Sequence, residues 1–169
     1  MKKKNIINHT IVILAFITGM TYWGCAGTPP SEPATQKEMF IRIVSDVPGF
    51  SKDQLFQKSK EWVAKAYSTA LDVIQHSDRN SGTVVGKTYI PHVREKKFGQ
   101  KDKYECRFTI IIETKDNKIR TTFMNLHLVG GFGIETILKS DMEEIKPKLE
   151  TSIERLIASF SINTQNDDW

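Results

Sequence analysis

A long hairpin pattern constrains the fold of this 169-residue chain more than any other feature. From Tyr104 to Ile112 apolar residues recur at every second position, with polar residues at most of the positions between them. Because successive side chains of a strand point to opposite faces, the run from Tyr104 to Thr114 predicts a strand with one buried face. Asp116 and Asn117 then supply a turn, and Lys118 to Val129 has the pattern of a second strand. Together these runs predict an antiparallel hairpin.

Shorter patterns before and after this hairpin supply the remaining elements. Ser51 and Gln54 have the spacing of a capping box, which predicts a helix that begins at Lys52. Pro147 would remove a hydrogen bond from a helix interior, so we expect the C-terminal helix to begin near Ile145. The other predicted strands are Glu38 to Val44, Asp72 to His76 and Thr83 to Val93, and the predicted helices are Lys52 to Tyr67 and Ile145 to Phe160.

The order strand, helix, four strands, helix predicts an α+β domain with a mainly antiparallel five-stranded sheet. Two amphipathic helices should pack on one face of that sheet, which leaves the other face open or covered by a partner. We expect one domain at residues 38–161, followed by a tail at residues 162–169. Gly130 to Gly133 is expected to form a flexible connection before the last helix.

The N-terminal segment has the pattern of an export signal. Lys2 to Lys4 give a positive start, Ile11 to Trp23 is mainly apolar, and Gly24 and Cys25 follow. A transmembrane helix would need about 20 consecutive apolar residues, more than this stretch provides. We therefore expect a signal peptide at residues 1–24, a lipid on Cys25, and a flexible proline-containing spacer within residues 25–37.

This signal predicts a protein of the cell envelope whose first partner is a membrane, reached through the lipid on Cys25. The alternative is a cut after Ala26, which would discard the cysteine and release a soluble periplasmic or secreted protein. The 24 basic residues of the chain include the three lysines of the signal, so 21 basic residues face 20 acidic ones in the mature protein. A nearly neutral exported chain gives no reason to expect a nucleic-acid partner.

No arrangement of catalytic residues stands out, and we expect no catalytic site, no metal and no cofactor. His76, His92 and His127 lie on separate predicted strands without the spacing of a metal site. The serines include no nucleophile-elbow motif. Cys106 lies in the alternating run, which favours a small buried core residue over a reactive thiol.

The strand from Lys118 to Val129 carries apolar residues on both of its faces. Either the strand is covered on both sides, or one face is an exposed surface that binds something. The predicted binding face is the one that holds Phe123, Asn125 and His127. A protein, a peptide or a small apolar ligand could occupy it.

Several short motifs resemble a known family. They are residues 60–63 (Lys-Glu-Trp-Val), 73–74 (Val-Ile), Asp78, Gly82, 85–87 (Val-Gly-Lys) and 115–120 (Lys-Asp-Asn-Lys-Ile-Arg). They look like a bacterial domain family of unknown function that is described as having a TATA-binding-protein-like fold. The resemblance covers roughly Glu38 to Phe160; it implies the fold, and no catalytic residue comes with it.

These observations predict a noncatalytic binding module tethered at the envelope, which uses its open sheet face or an edge strand. The alternative is a small exported hydrolase whose site is assembled only by the fold, with His127 and acidic neighbours. A pocket with perturbed titratable groups would favour the enzyme, and an open face without one would favour binding.

Overall fold

A six-stranded antiparallel sheet is the framework of the domain. The structure, a computed structural model, describes residues 32–67, 73–95 and 99–162, with the backbone alone for residues 161 and 162. The predicted signal peptide at residues 1–24, Cys25 and residues 163–169 of the predicted tail lie outside these residues. The strands are β1 (Ile41–Asp46), β2 (Ile74–Asp78), β3 (Thr83–Glu95), β4 (Lys101–Lys115), β5 (Lys118–Gly130) and β6 (Gly133–Glu135), and the helices are α1 (Lys52–Ala66) and α2 (Lys139–Ile162).

The strands lie side by side in the order β1-β5-β4-β3-β2, and β6 pairs with the end of β5. Every pair is antiparallel. Asp116 and Asn117 join β4 to β5, and Asn117 adopts the positive φ of 61° that asparagine tolerates in tight turns. The predicted hairpin and the predicted α+β class are confirmed, and the strand bounds differ from the predicted ones by at most three residues.

Both helices pack on one face of the sheet and share a core with it. The predicted capping box starts α1, since Ser51 and Gln54 bond each other's backbone N–H groups. Phe108 of β4 makes edge-on contacts with Tyr67 and Phe123, at 6.1 and 5.5 Å between ring centroids. The side chains that are almost fully buried include Leu55, Val63, Ile110, Ile112, Ile119, Phe123, Leu128, Ile145, Leu149, Leu156 and Phe160. Among the described residues, the opposite face of the sheet carries no helix.

The C-terminal helix begins six residues earlier than predicted, at Lys139, and contains Pro147. The predicted start took account of the hydrogen bond that proline cannot make. It did not take account of the side chains before and after Pro147 that pack against the core. Met142, Ile145 and Leu149 are at most 7% exposed, so the apolar stripe already contacts the core before the proline. Pro147 itself is exposed, which lets water bond the carbonyl group that its missing N–H leaves free.

The prediction of a flexible connection at Gly130 to Gly133 is wrong. Gly130 pairs with Gly133, and the two residues between them form a tight turn that connects β5 to the short strand β6. Gly133 has a φ of 115°, a value open to glycine but strained for other residues, which allows this tight reversal.

The domain also begins earlier than the predicted residue 38. Ala34 donates its N–H to the carbonyl of Ile137 at 2.8 Å, and Pro33 forms a bridge with Leu138. Part of the predicted spacer therefore belongs to the domain, beside the start of α2. No helix among the described residues is long and apolar enough to cross a membrane.

Gly82 should be far less tolerant of substitution than Gly49, although both have positive φ values, of 70° and 87°. A Cβ on Gly82 would lie 2.8 Å from the carbonyl oxygen of Thr114, whereas one on Gly49 meets nothing within 4 Å. We expect Gly49→Ala to cost about 1 kcal/mol of unfolding free energy, from backbone strain alone. Gly82→Ala should cost about 3 kcal/mol, because overpacking is added to that strain. Urea denaturation of both variants measures the difference, and equal losses would contradict the close approach.

Candidate functional site

A polar recess lies on the helix-free face of the sheet, across β3, β4 and β5. Lys87 pairs with Thr109, Tyr89 pairs with Arg107, and Arg107 pairs in turn with His127, so these side chains share one face. The recess has a volume of about 550 Å³. Its lining consists of Lys87, Thr88, Tyr89, Arg107, Phe108, Thr109, Asn125 and His127.

A β-bulge at Asn125 creates this recess. Asn125 has a positive φ of 56°. Thr109 pairs with Met124, and Arg107 pairs with His127. Between these two pairs β5 contains one residue more than β4, which is the definition of a bulge. An extra residue inverts the side-chain alternation beyond it, because the period of a strand is two. Leu126 therefore points into the core, and His127 points to the open face.

The bulge divides the binding face predicted from the sequence. Phe123 precedes the bulge and is fully buried against Phe108 on the helix side, so its assignment to a binding surface is wrong. Asn125 and His127 do line the recess together. The alternation that grouped all three residues holds only for an unbroken strand.

The recess presents hydrogen-bond donors from two cationic side chains, Arg107 and Lys87, beside the imidazole ring of His127. His127 Nδ1 lies 3.0 Å from the carbonyl oxygen of Asn125, so it carries the hydrogen and leaves Nε2 toward the surroundings. Arg107 donates from Nε and Nη2 to Glu105 at 3.0 and 2.8 Å, which leaves Nη1 available. Lys87 is exposed and makes no ion pair with any residue that the structure describes.

The lining is better suited to holding a ligand than to acid-base chemistry. None of its described residues is a carboxylate, and His127 is oriented by a backbone carbonyl, which cannot stabilise an imidazolium as an aspartate does. Arg107 and Lys87 can donate charge-assisted hydrogen bonds to an anionic group, and Tyr89 offers an aromatic surface beside them.

A second polar cluster, which no local sequence pattern predicts, is buried at the start of α2. Asp141 accepts hydrogen bonds from His92 Nε2 at 3.0 Å and from Arg94 Nη2 at 2.6 Å. Arg94 also donates to Glu135 at 2.9 Å, and Glu135 accepts from the hydroxyl of Tyr104 at 3.1 Å. The side chains of His92 and Asp141 are 1% and 3% exposed, so no substrate could reach this pair.

This buried cluster connects β3 and β6 to the first turn of α2. Asp141 accepts the N–H of Leu138 at 2.7 Å, which satisfies a donor at the start of the helix. His92 and Asp141 are 49 residues apart in the chain, so no local pattern could reveal the pair. Burial acts to raise the pKa of Asp141, but the hydrogen bonds from Arg94, Leu138 and His92 outweigh it, and its pKa lies below the usual value.

Cys106 is a fully buried free cysteine, as expected from the alternation of β4. Burial, together with the charge of Asp141, raises the pKa of the Cys106 thiol to about 12, which keeps it protonated. Within the described residues, no group of three or more histidine, cysteine, aspartate or glutamate side chains is arranged to hold a metal ion.

A larger groove of about 950 Å³ lies between the two helices. Trp62, which is partly buried, packs edge-on against Tyr67 there, at 5.6 Å between ring centroids. The recess on the open face contains two of the residues predicted from the sequence, Asn125 and His127, and is the better candidate site.

An antiparallel sheet with two helices on one face is the architecture of TBP-like domains. The sequence profile of DUF4468, described as a domain of unknown function with a TBP-like fold, matches residues 42–128. The chain therefore belongs to the DUF4468 family. None of the curated proteins matches it significantly.

The fold is also similar to that of a solved structure, a DUF4468 family protein from Bacteroides ovatus. The TM-score is 0.61 at 12% identity, with 76% of this chain and 91% of that chain covered. A TBP-like protein from Parabacteroides distasonis gives a TM-score of 0.49 at 16% identity, with 63% of this chain and 69% of that chain covered. At 12% identity, the similarity to the Bacteroides ovatus protein concerns the fold alone.

Asp141→Asn should remove a pH-dependent part of the stability. The pKa of Asp141 is lowered in the folded state, so its carboxylate stabilises the fold above the unfolded pKa of about 3.9. That stabilisation is lost as the pH falls through the folded pKa. We expect the variant to lose about 3 kcal/mol of unfolding free energy at pH 7, and to decline less steeply than the wild type below about pH 4.

Asp53→Asn is the matched control, because Asp53 forms an exposed ion pair with Arg79 at 2.9 Å. It should cost about 0.5 kcal/mol at most. Urea titrations at a series of pH values compare the two variants with the wild type. Similar losses of unfolding free energy for both variants would show that the buried Asp141 cluster stabilises the fold no more than an exposed ion pair does.

Proposed function

We propose that this protein is a noncatalytic binding module that recognises an acidic segment of a partner protein on its helix-free sheet face. The observation that carries the proposal is the recess at the Asn125 bulge. There Lys87, Arg107 and His127 converge without a carboxylate among the described lining residues. Arg107 is paired with Glu105, so Lys87 is the cation of the recess that no described carboxylate balances, and such a cation favours an anionic ligand group.

The shape of the recess suits an extended segment rather than a small enclosed ligand. Small-molecule sites commonly bury most of the ligand surface. Here Lys87, Tyr89 and Arg107 extend from one face of the sheet, so one side of any ligand would remain accessible. A protein segment can cover that side with its own residues.

The hydrolase alternative finds less support. Its proposed base, His127, bonds the carbonyl oxygen of Asn125 and not an acidic side chain. The histidine that does bond an aspartate, His92, is 1% exposed. Hydrolysis needs a base that can reach a substrate proton.

We further propose that the module is held at a membrane by a lipid on Cys25. Six residues separate Cys25 from Glu32, the first residue that the structure describes. A chain spans at most about 3.5 Å per residue, so this anchor would keep Glu32 within about 25 Å of the lipid. Glu32 in turn accepts a hydrogen bond from Lys139 at 2.6 Å, beside the start of α2.

Lys87→Glu should weaken binding of an acidic probe. The probe is a fluorescent peptide of six glutamates, and its anisotropy is followed with the full chain in detergent. Reversal of one cationic side chain in the recess should reduce affinity at least about tenfold, which corresponds to about 1.4 kcal/mol. Lys60→Glu makes the same charge change on the exposed surface of α1 and should leave affinity nearly unchanged.

Equal effects of the two substitutions would attribute the binding to overall charge and would overturn the assignment to the recess. The natural partner can be sought with a photocrosslinking residue at position 89 in cells, and with one at position 60 as the control. Capture of the same proteins at both positions would also count against the recess.

Cys25→Ser should release the protein from the membrane fraction. Mass spectrometry of the wild type should find a lipid on Cys25 as the first residue of the mature chain. Retention of the serine variant in membranes, or a wild type that begins at Gly27, would refute the anchor while leaving the recess untouched.

A further inference from the structure

The edge strand β1 is an exposed pairing surface of the sheet. It pairs with β5 on one side, and no described strand pairs with its other side. Val44, in the middle of this strand, is 60% exposed and lies on the helix-free face. An uncovered edge strand with an exposed apolar side chain is a site where another strand can add.

The pairing pattern shows which backbone groups of β1 are available. Val47 donates its N–H to the carbonyl of Asn117, which continues the register of β1 with β5. In antiparallel strands, hydrogen-bonded residues alternate with residues whose N–H and C=O groups point away. Ile43 and Ser45 therefore bond β5, whereas Arg42, Val44 and Asp46 direct their backbone groups toward the open edge.

The charges of the free edge are arranged symmetrically about Val44, so that the edge could pair with a second copy of itself. Arg42 and Asp46 lie two residues before and two residues after it. If a second copy of β1 pairs in antiparallel fashion with Val44 opposite Val44, each Arg42 stands opposite an Asp46 of the other copy. All three residues have outward backbone groups, so this register also meets the hydrogen-bonding requirement.

The charges of this edge can reorganise at small cost. Asp46 forms an ion pair with Lys118 at 3.5 Å, and both side chains are exposed to solvent. Arg42 is exposed and stacks over the ring of Phe40, with 5.0 Å from its guanidinium carbon to the centroid. Exposed ion pairs contribute little, and opposite charges across paired strands favour the register.

An apolar groove continues the edge on the helix side. It has a volume of about 590 Å³ and lies between β1 and α2. Its lining is Ile43, Ser45, Glu150, Ile153, Glu154, Ile157 and Ala158. A stable complex needs roughly 1,200 Å² of buried surface, more than two short strands can supply. Contact between the two copies of this groove would add the apolar area.

We propose that two copies of this protein associate through β1, with the strands antiparallel and Val44 opposite Val44. The two-fold axis then stands perpendicular to the sheet, because the strands continue one sheet and the helices of both copies lie on the same side. The symmetric placement of Arg42 and Asp46 favours a second copy over an unrelated peptide, which would need no such symmetry.

Charge exchange across the two-fold axis tests this arrangement. Arg42→Asp alone, or Asp46→Arg alone, places like charges opposite each other and should weaken association at least tenfold. The double variant Arg42→Asp with Asp46→Arg restores opposite charges and should restore the dimer. Light scattering of the full chain in detergent, with the detergent mass subtracted, measures the protein mass. Arg79→Asp, at a distant exposed ion pair with Asp53, is the control and should remain dimeric.

A wild type that is monomeric at every concentration would overturn the proposal. So would a dimer that survives both single exchanges, or a double variant that stays monomeric although its circular dichroism shows a folded protein. Cysteine crosslinking adds a measurement that does not depend on charge. Val44→Cys should form a disulfide between copies under mild oxidation, since hydrogen-bonded antiparallel pairs have Cα atoms about 5.5 Å apart.

The matched control for crosslinking is Val93→Cys, because Val93 is an exposed valine, at 41%, on another strand. The native Cys106 is fully buried, so it should not contribute a crosslink. Equal crosslinking at positions 44 and 93 would show random collision and would also overturn the proposal.

Discussion

The pairing of β4 with β5 is the constraint on which the rest of the structure depends. These two long strands form the middle of the sheet, and every other strand pairs with the hairpin or with a neighbour of it. Their register places Phe108 and Phe123 on the helix side, where both helices can pack against them. A one-residue change in that register would exchange the two faces, so the bulge at Asn125 has consequences well beyond its own position.

The two faces of the sheet satisfy their polar groups by different means. On the helix side, Asp141 sits where solvent cannot replace its partners, so His92 and Arg94 must supply them. That requirement makes the first turn of α2 part of the core. On the open face, Lys87 and Arg107 are accessible to solvent, and water can be displaced by a ligand without a comparable loss.

Much of the fold could be predicted from the sequence, because its signals are local. Alternation identified β4, the turn at Asp116 and Asn117 identified the start of β5, and the spacing of Ser51 and Gln54 identified the start of α1. The site could be predicted only in part. The pattern of β5 singled out Asn125 and His127, which line the recess, but the bulge that separates them from Phe123 depends on a register with β4 that one strand cannot reveal. The buried cluster depends on contacts distant in sequence, and the early start of α2 on packing that offsets the cost of a proline.

The proposed recess and the proposed dimer support each other through geometry. A two-fold axis perpendicular to the sheet turns the helix-free faces of both copies in the same direction, so both recesses would open on one side. A partner with two acidic segments could then engage both, and the second contact would form at a high effective concentration. Anchoring through Cys25 would add to this effect, because confinement to a membrane raises the local concentration of a weak dimer. Low affinity at each single recess would therefore be compatible with firm attachment of a repetitive or oligomeric partner.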